Sequence, residues 1–201
     1  MIEYEAQDDI INSTLISGKE SGSTDESLEQ SLDSLSSYQF FQRQHDLAYH
    51  HDIMVLGISR QMSHVTLHLI KYLNALSSKH MSDPENKRSF VDSFIMTISA
   101  SNLLGISLSK IDLLEPVCLS DESFISVYIK ILSDLAKACE ASDHQEDYPI
   151  RQVWHASIKK FFRLLMQESI RREILILDEA VSRLEYIERK HSLHNIISKK
   201  I

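Results

Sequence analysis

Glycine and proline are scarce in this chain, at four and three among 201 residues. Tight hairpin turns depend on both, so a fold of many short strands is excluded, and the abundance of Leu, Ile, Lys and Glu favours an all-helical bundle. Cysteine is nearly absent. Cys118 and Cys139 are too few and too far apart for a disulfide framework or a CxxC metal knuckle, so a reduced, cytoplasmic setting with both thiols buried is expected. No apolar run approaches the ~20 residues that cross a bilayer. The opening MIEYEAQDD has neither the basic nor the apolar stretch of a signal peptide. GxGxxG, GxxxxGK[ST] and GxSxG are all missing, so a phosphate-cradling loop or hydrolase elbow of those kinds has no support.

The charge that is present is unevenly placed. Residues 1–37 hold nine acidic residues against the single basic Lys19, which equals the whole formal net charge of −8. Residues 38–201 are balanced, so no net basic field draws nucleic acid to the body of the protein. The first 37 residues carry too few apolar groups to offset ordering entropy and read as a mostly disordered acidic, Ser-rich tail. Leu28, Leu32 and Leu35 within it have helical spacing, which allows a transient helix. A solubilising role is the plain reading of this tail, and docking to a protein partner the sharper one.

Helical patterns follow one another from there. Tyr38 to His51 reads as a short helix anchored by Phe40, Phe41 and Leu47. A second helix, from about Ile58 to Lys79, has its stripe at Ile58, Met62, Val65, Leu69, Leu73 and Leu76. Ser82-Asp83-Pro84-Glu85 is a helix start, with an Asp cap, a first-turn Pro and an early Glu, and Gly105 suits a left-handed stop. A turn over Leu108 to Leu114 is ended by Pro116. Ser120 is then expected to cap a helix with Asp121 and Glu122 in its first turn and Phe124, Val127, Ile131, Leu135 and Ala138 on its face. Ser142 to Tyr148 is a loop closed by Pro149. From Ile150 the pattern stays helical, as one long helix or two broken near 167–169. Ile170, Ile174, Leu177, Val181 and Leu184 step by 4 and 3 like a coiled-coil seam, which needs the earlier helices or a second subunit to cover it. The domain reading is therefore an acidic tail over 1–37, a helical core over 38–116 and a C-terminal helical region over 117–201.

The segment Asp92 to Ile106, DSFIMTISASNLLGI, carries the one family likeness. It resembles the last core helix of the MazG-like all-α nucleoside triphosphate pyrophosphohydrolases. That helix begins with a metal-binding Asp, runs through an apolar face and an Ala/Asn patch, and ends in Leu-Gly-Ile. Asp92, Ala100, Asn102 and Leu104-Gly105-Ile106 fall at the matching offsets, and the likeness extends over about Phe40 to Leu114. It implies an ExxE motif on one helix and ExxD on the next, spaced so that each pair shares a face. Together the carboxylates would hold magnesium or manganese against a triphosphate. It also implies a homo-oligomer, since these proteins complete their bundle by dimerising.

The chain departs from that pattern where the chemistry should be. Asp92 matches the ExxD aspartate, but Ser89 stands where its glutamate belongs. In the best register Tyr72 and Ala75 occupy the ExxE positions and Lys71 a frequent third acid. Lys71 then suits a phosphate of a bound nucleoside triphosphate better than a metal. The expectation is a MazG-like protein without most of its metal-binding carboxylates, acting as a non-catalytic nucleotide- or protein-binding module. The alternatives are an active, divergent metal-dependent pyrophosphohydrolase and a helical scaffold unrelated to the family.

Other constellations have plain structural readings beside their chemical ones. His64 and His68 are four apart and share a helix face, so with Asp92 they make a conceivable His–His–Asp metal site. The segment HVTLH lacks the glutamate of a zinc peptidase, and a polar helix flank is the ordinary reading. His50-His51 and His191-xx-His194 are weaker pairs. Glu185 and Glu188 have ExxE spacing but read as a salt-bridged surface interleaved with Arg183 and Arg189. Lys159, Lys160, Arg163, Arg171 and Arg172 form a basic run beside Trp154, Phe161 and Phe162. The aromatics read as core and the charges as a solvated face, rather than as a phosphate or RNA surface.

Overall fold

A computed structural model describes residues 24–113, 116–117 and 122–190, with side chains from Leu35 onward. Among the described residues the chain is all-α. Its helices are α1 (Thr24–Tyr49), α2 (His51–Met54), α3 (Ile58–Ser78), α4 (Pro84–Leu104), α5 (Phe124–His144), α6 (Ile150–Arg171) and α7 (Ile176–Lys190), with a 3₁₀ turn at Leu108–Lys110. None of these helices is long and apolar enough to cross a membrane.

Helix α4 is the axis of the bundle. It packs on α3, α6, α1 and α7, and α5 closes the far side against α3 and α6. Its local signals do what their chemistry predicts. Asp83 Oδ1 accepts from the Glu85 amide at 2.8 Å, and Pro84 opens the first turn. Gly105 ends the helix at φ 69°, a left-handed value that a side chain would strain, and the Ile106 amide returns to the Ser101 carbonyl at 2.8 Å.

A helix enclosed on several sides carries no single apolar stripe. In α4 the buried set includes Phe90, Phe94 and Ile98, but also Ser89, Ser93, Thr97 and Ser101 at steps of four. The hydroxyls of Ser93, Thr97 and Ser101 each donate to the carbonyl four residues back, at 2.7, 2.7 and 2.8 Å. This satisfies them inside the helix and leaves a narrow face for close neighbours. Tyr128 of α5 reaches that face. Fully buried, its hydroxyl lies 3.0 Å from Ser93 Oγ and donates to the Leu69 carbonyl of α3 at 3.0 Å. Tyr128→Phe is expected to cost about 1 kcal/mol, read from urea unfolding midpoints, because it removes a buried hydrogen bond between α5 and α3. An unchanged midpoint would mean that the bridge adds nothing.

Several expectations need correction. Helix α1 begins at Thr24, so residues 24–37 are helical and Leu35 is core; residues 1–23 lie outside the described residues. Phe40, Phe41 and Leu47 do not anchor α1. They are 59%, 63% and 43% exposed, while Leu35, Tyr38, Gln42, His45 and Asp46 face inward. The inward face follows the helical period from Leu35 and passes through polar residues, whereas the aromatic pair falls off it. Ser123, not Ser120, caps α5, accepting from the Ser126 amide at 3.1 Å; Cys118, Ser120 and Asp121 lie outside the described residues. The break in the C-terminal helical region comes at 172–175, where Glu173 has φ 54°. Helix α7 then folds back on α4, so the seam is covered largely from within. Leu184 is buried, Ile174 and Leu177 are half-buried against the core, and Val181 remains exposed.

Candidate functional site

Helices α1, α2, α3, α4 and α7 enclose a cavity of about 180 Å³. Its walls are largely apolar, with Val65, Ile95, Met96, Leu103, Leu184 and Ile187 among them. Polar groups enter from four helices and the α1–α2 junction. Gln42 and Asp46 come from α1, and His50 from the junction. His64, His68 and Tyr72 come from α3, Asp92 and Ser99 from α4, and Arg183 from α7.

The metal residues suggested by the sequence meet here in part. Asp92, His64 and His68 all line this cavity, which brings the faces of α3 and α4 together. They do not form a ligand set. Among the described residues, only Glu140, His144 and Glu146 put three His, Cys, Asp or Glu ligand atoms within 4.8 Å of one another. That trio is exposed, and Lys137 bridges its two glutamates at 3.0 and 2.8 Å, which makes it a neutralised surface network.

Asp92 is engaged otherwise. Arg183 grips both of its oxygens, from Nε at 2.8 Å and Nη2 at 3.2 Å. The side chains are 12% and 24% exposed, so the pair is mostly shielded from water. The carboxylate raises the pKa of the guanidinium further and keeps it charged. Two-point pairing of this kind uses the lone-pair directions a metal would need. Ala75 and Ser89 are both buried, and Tyr72 is half-buried. None can replace a glutamate. The residues present therefore do not fit a magnesium or manganese ion, which needs several hard oxygens around it.

Lys71 is exposed and outside the cavity lining. Its Nζ sits 4.7 Å from the centre of the Tyr72 ring and 3.3 Å from His68 Nδ1. An ammonium only donates, so Nδ1 of His68 is unprotonated and its proton sits on Nε2. Burial first, and then the Lys71 charge, push the His68 pKa from its ordinary 6.5 down to about 4. His64, whose ring centre is 4.4 Å from that of His68, is also lowered, chiefly by burial. The Tyr72 phenol is raised to about 12 by burial and then by Asp92.

A pH dependence follows. The unfolded chain takes up a proton on His68 near pH 6.5, and the folded protein resists it until about pH 4. The His68 contribution to stability is therefore full above pH 6.5 and declines as pH falls from 6.5 towards 4. Lys71, His64 and His50 add to this resistance, while Asp92 opposes it. Asp46 works in the opposite sense, because burial raises its pKa and the folded state holds that proton better. His68→Gln is expected to flatten the decline of the urea midpoint between pH 6.5 and 4. A slope as steep as in the wild type would assign the decline to other groups.

The sequence did not single out the inner end of the cavity. Gln42 is 1% exposed. Its Nε2 donates to Asp46 Oδ1 at 2.9 Å and to Ser99 Oγ at 3.2 Å. Its Oε1 is buried and meets no donor. Asp46 is 7% exposed, and no Lys or Arg lies within ion-pair distance of it among the described residues. Next to it His45, buried, contacts Glu188 of α7 at 3.1 Å and stacks on Tyr49. Their signal was the inward period of α1, which runs through 35, 38, 42 and 45–46 and is polar at its last positions.

The remaining candidates take structural roles. Glu188 faces His45, and Glu185 lies 4.0 Å from Arg189. His191 and His194 lie outside the described residues. Trp154, Phe161 and Phe162 are core, and Lys159 and Lys160 are exposed. Arg172 departs from the solvated-face reading. Its side chain is 6% exposed and its Nε donates to the buried Glu168 at 2.6 Å. No family model matches this chain, and neither does any curated protein or solved structure.

Proposed function

We propose that this protein is a non-catalytic binding module built on a MazG-like helical frame, with the cavity between α1, α3, α4 and α7 as its ligand site. The observation that carries this reading is the two-point Asp92–Arg183 pair. The one carboxylate that stands where a metal ligand would is neutralised by a cation from a helix added beyond the frame. The other positions of the metal set hold Tyr72, Ala75 and Ser89, which offer no charge. The frame survives because its residues have packing roles of their own. Gly105 and Ile106 end α4, and Asn102 Nδ2 donates to the Gln39 carbonyl of α1 at 2.9 Å.

A binding role also fits the shape. A cavity of about 180 Å³ is far too small for a whole nucleoside triphosphate, and its only guanidinium is committed to Asp92. The test is pyrophosphate release from a panel of nucleoside triphosphates with magnesium and then manganese, comparing wild type with Asp92→Asn. No release above the background of either protein is expected, even at high protein concentration. Release that needs both the metal and Asp92 would make the protein an active pyrophosphohydrolase and overturn the reading.

A further inference from the structure

The inner end of the cavity is built to receive donors. Two buried acceptors of α1 belong to its lining: the Asp46 carboxylate, which takes hydrogen bonds from Gln42 and Ser99 but meets no Lys or Arg among the described residues, and Gln42 Oε1, with no donor. A buried acceptor left without a donor is destabilising, and a buried carboxylate without a counter-charge more so. Gln42 cannot turn to meet this need. Both hydrogens of its amide are already directed to Asp46 and Ser99, so its oxygen is fixed facing elsewhere. Asp92 already has Arg183, which leaves Asp46 as the lining carboxylate that meets no Lys or Arg, with only His45 and His50 as basic neighbours.

The rest of the lining sets the size and character of the ligand. Val65, Ile95, Met96 and Leu103 make an apolar wall suited to a ring or short hydrocarbon. For comparison, an apolar cavity of about 150 Å³ in another protein holds one benzene molecule. An anion would meet two carboxylates, one committed guanidinium and imidazoles of which His64 and His68 are held towards the neutral form, and a neutral hydrocarbon would leave both acceptors unmet. His50 is exposed and Met54 half-buried, which places the opening at the α1–α2 junction.

We infer that the cavity takes a compact organic cation: a single-ring molecule bearing an ammonium or amidinium group, with its N–H donors on the Asp46 carboxylate and Gln42 Oε1 and its ring against the wall formed by α3 and α4. The assignment rests on the reading of this cavity as a ligand site, and names its ligand class. A charged nitrogen group carries more than one N–H donor and so has one for each acceptor, and the charge of the ligand balances that of Asp46.

The experiment is a matched series of one-ring probes that differ only in the head group: benzylammonium, benzamidinium, benzyl alcohol and benzoate. Each is titrated by calorimetry and by thermal shift at pH 7.5 into wild type, Asp46→Asn and Gln42→Leu. The two cations are expected to bind saturably and raise the melting temperature, as a ligand of the native state does. Benzyl alcohol is expected to bind at least about tenfold more weakly, and benzoate not at all. Asp46→Asn is expected to lose at least about tenfold for the cations and to narrow their advantage over benzyl alcohol. Gln42→Leu gives a second readout with the charge kept, and is expected to weaken benzamidinium more than benzyl alcohol. Equal affinity for alcohol and ammonium, a preference for benzoate, cation binding unchanged in both variants, or no binding of any probe would overturn the assignment. A preference for benzoate would do so while leaving a non-catalytic ligand site in place. Metal-dependent turnover of nucleoside triphosphates would instead remove the binding-module reading, whichever probe bound.

Discussion

Replacing Glu168 with alanine is expected to lower the unfolding free energy by about 3–5 kcal/mol, the range seen when one partner of a buried ion pair is removed. Glu168 is 6% exposed and accepts from Arg171 and Arg172 on the last turn of α6. Arg171 reaches solvent, but Arg172 does not. The Arg172 guanidinium lies 4.7 and 5.1 Å from the ring centres of Phe90 and Phe124, and donates to Asn86 Oδ1 at 2.9 Å. Asn86 in turn donates through Nδ2 to the Lys79 carbonyl at 2.9 Å and the Leu76 carbonyl at 3.3 Å, which caps the end of α3. One carboxylate thus ties the C-termini of α6 and α3 to the first turn of α4. Without it Arg172 stays enclosed with its charge uncompensated. Glu168→Gln keeps the shape and one acceptor, and is expected to cost less than the alanine change. Replacing Glu168 and Arg172 together with leucine is expected to cost less than the alanine change alone, because no buried charge remains. Urea unfolding of the three variants measures this. A loss below about 1 kcal/mol for Glu168→Ala would mean that water screens the pair as it screens a surface bridge.

That network shows where sequence reasoning stops. The helical class, the bounds of α3 and α4 and the turn at Gly105 were legible because their causes are local: an Asp-Pro-Glu start, a glycine stop and a stripe of period 3.6. By sequence Arg172 belongs with Lys159, Lys160, Arg163 and Arg171 in a solvated run, since a charge in a basic stretch is normally wet. Only the fold reveals that the last turn of α6 meets the first turn of α4, with Glu168 inside the contact. In α1 the aromatic pair Phe40–Phe41 outweighed the weaker polar period through Gln42 and Asp46, and large apolar side chains are not obliged to be buried. The cavity was half-legible. Spacing and the family likeness place His64, His68 and Asp92 as neighbours, and the structure gathers them in one lining. Arg183 reads by sequence as part of a salt-bridged surface with Glu185 and Glu188, and the structure pairs it with Asp92 instead, 91 residues away, a distance at which no local pattern announces a partner.

The Asp92–Arg183 pair has an asymmetry that can be measured. Arg183→Leu leaves a largely buried carboxylate without its cation, with no other Lys or Arg in ion-pair contact among the described residues. Asp92→Asn leaves a guanidinium that is 24% exposed, carried on a flexible stem that can turn toward water, and keeps one acceptor in place. Loss of the arginine is therefore expected to cost about 1–3 kcal/mol and loss of the carboxylate charge clearly less. The double variant should recover part of the arginine loss, and the cycle gives a coupling of about 1–2 kcal/mol once partial exposure is allowed for. Urea midpoints of the four proteins supply the values; equal single losses with no coupling would mean that the pair is as weak as an open surface bridge. The same variant also examines why Asp92 is there. If Arg183 merely occupied a metal's place, Arg183→Leu would expose a site that magnesium or manganese stabilises. The surrounding positions offer Tyr72, Ala75 and Ser89, and a lone carboxylate cannot replace enough of the water around a hard divalent ion. Millimolar magnesium or manganese is accordingly expected to leave the melting temperature of Arg183→Leu unchanged. A metal-dependent rise would show that Asp92 keeps a ligand's role and that the arginine is a plug over it. An unchanged melting temperature places Asp92 with the groups that fasten α7 to α4 and close the cavity wall.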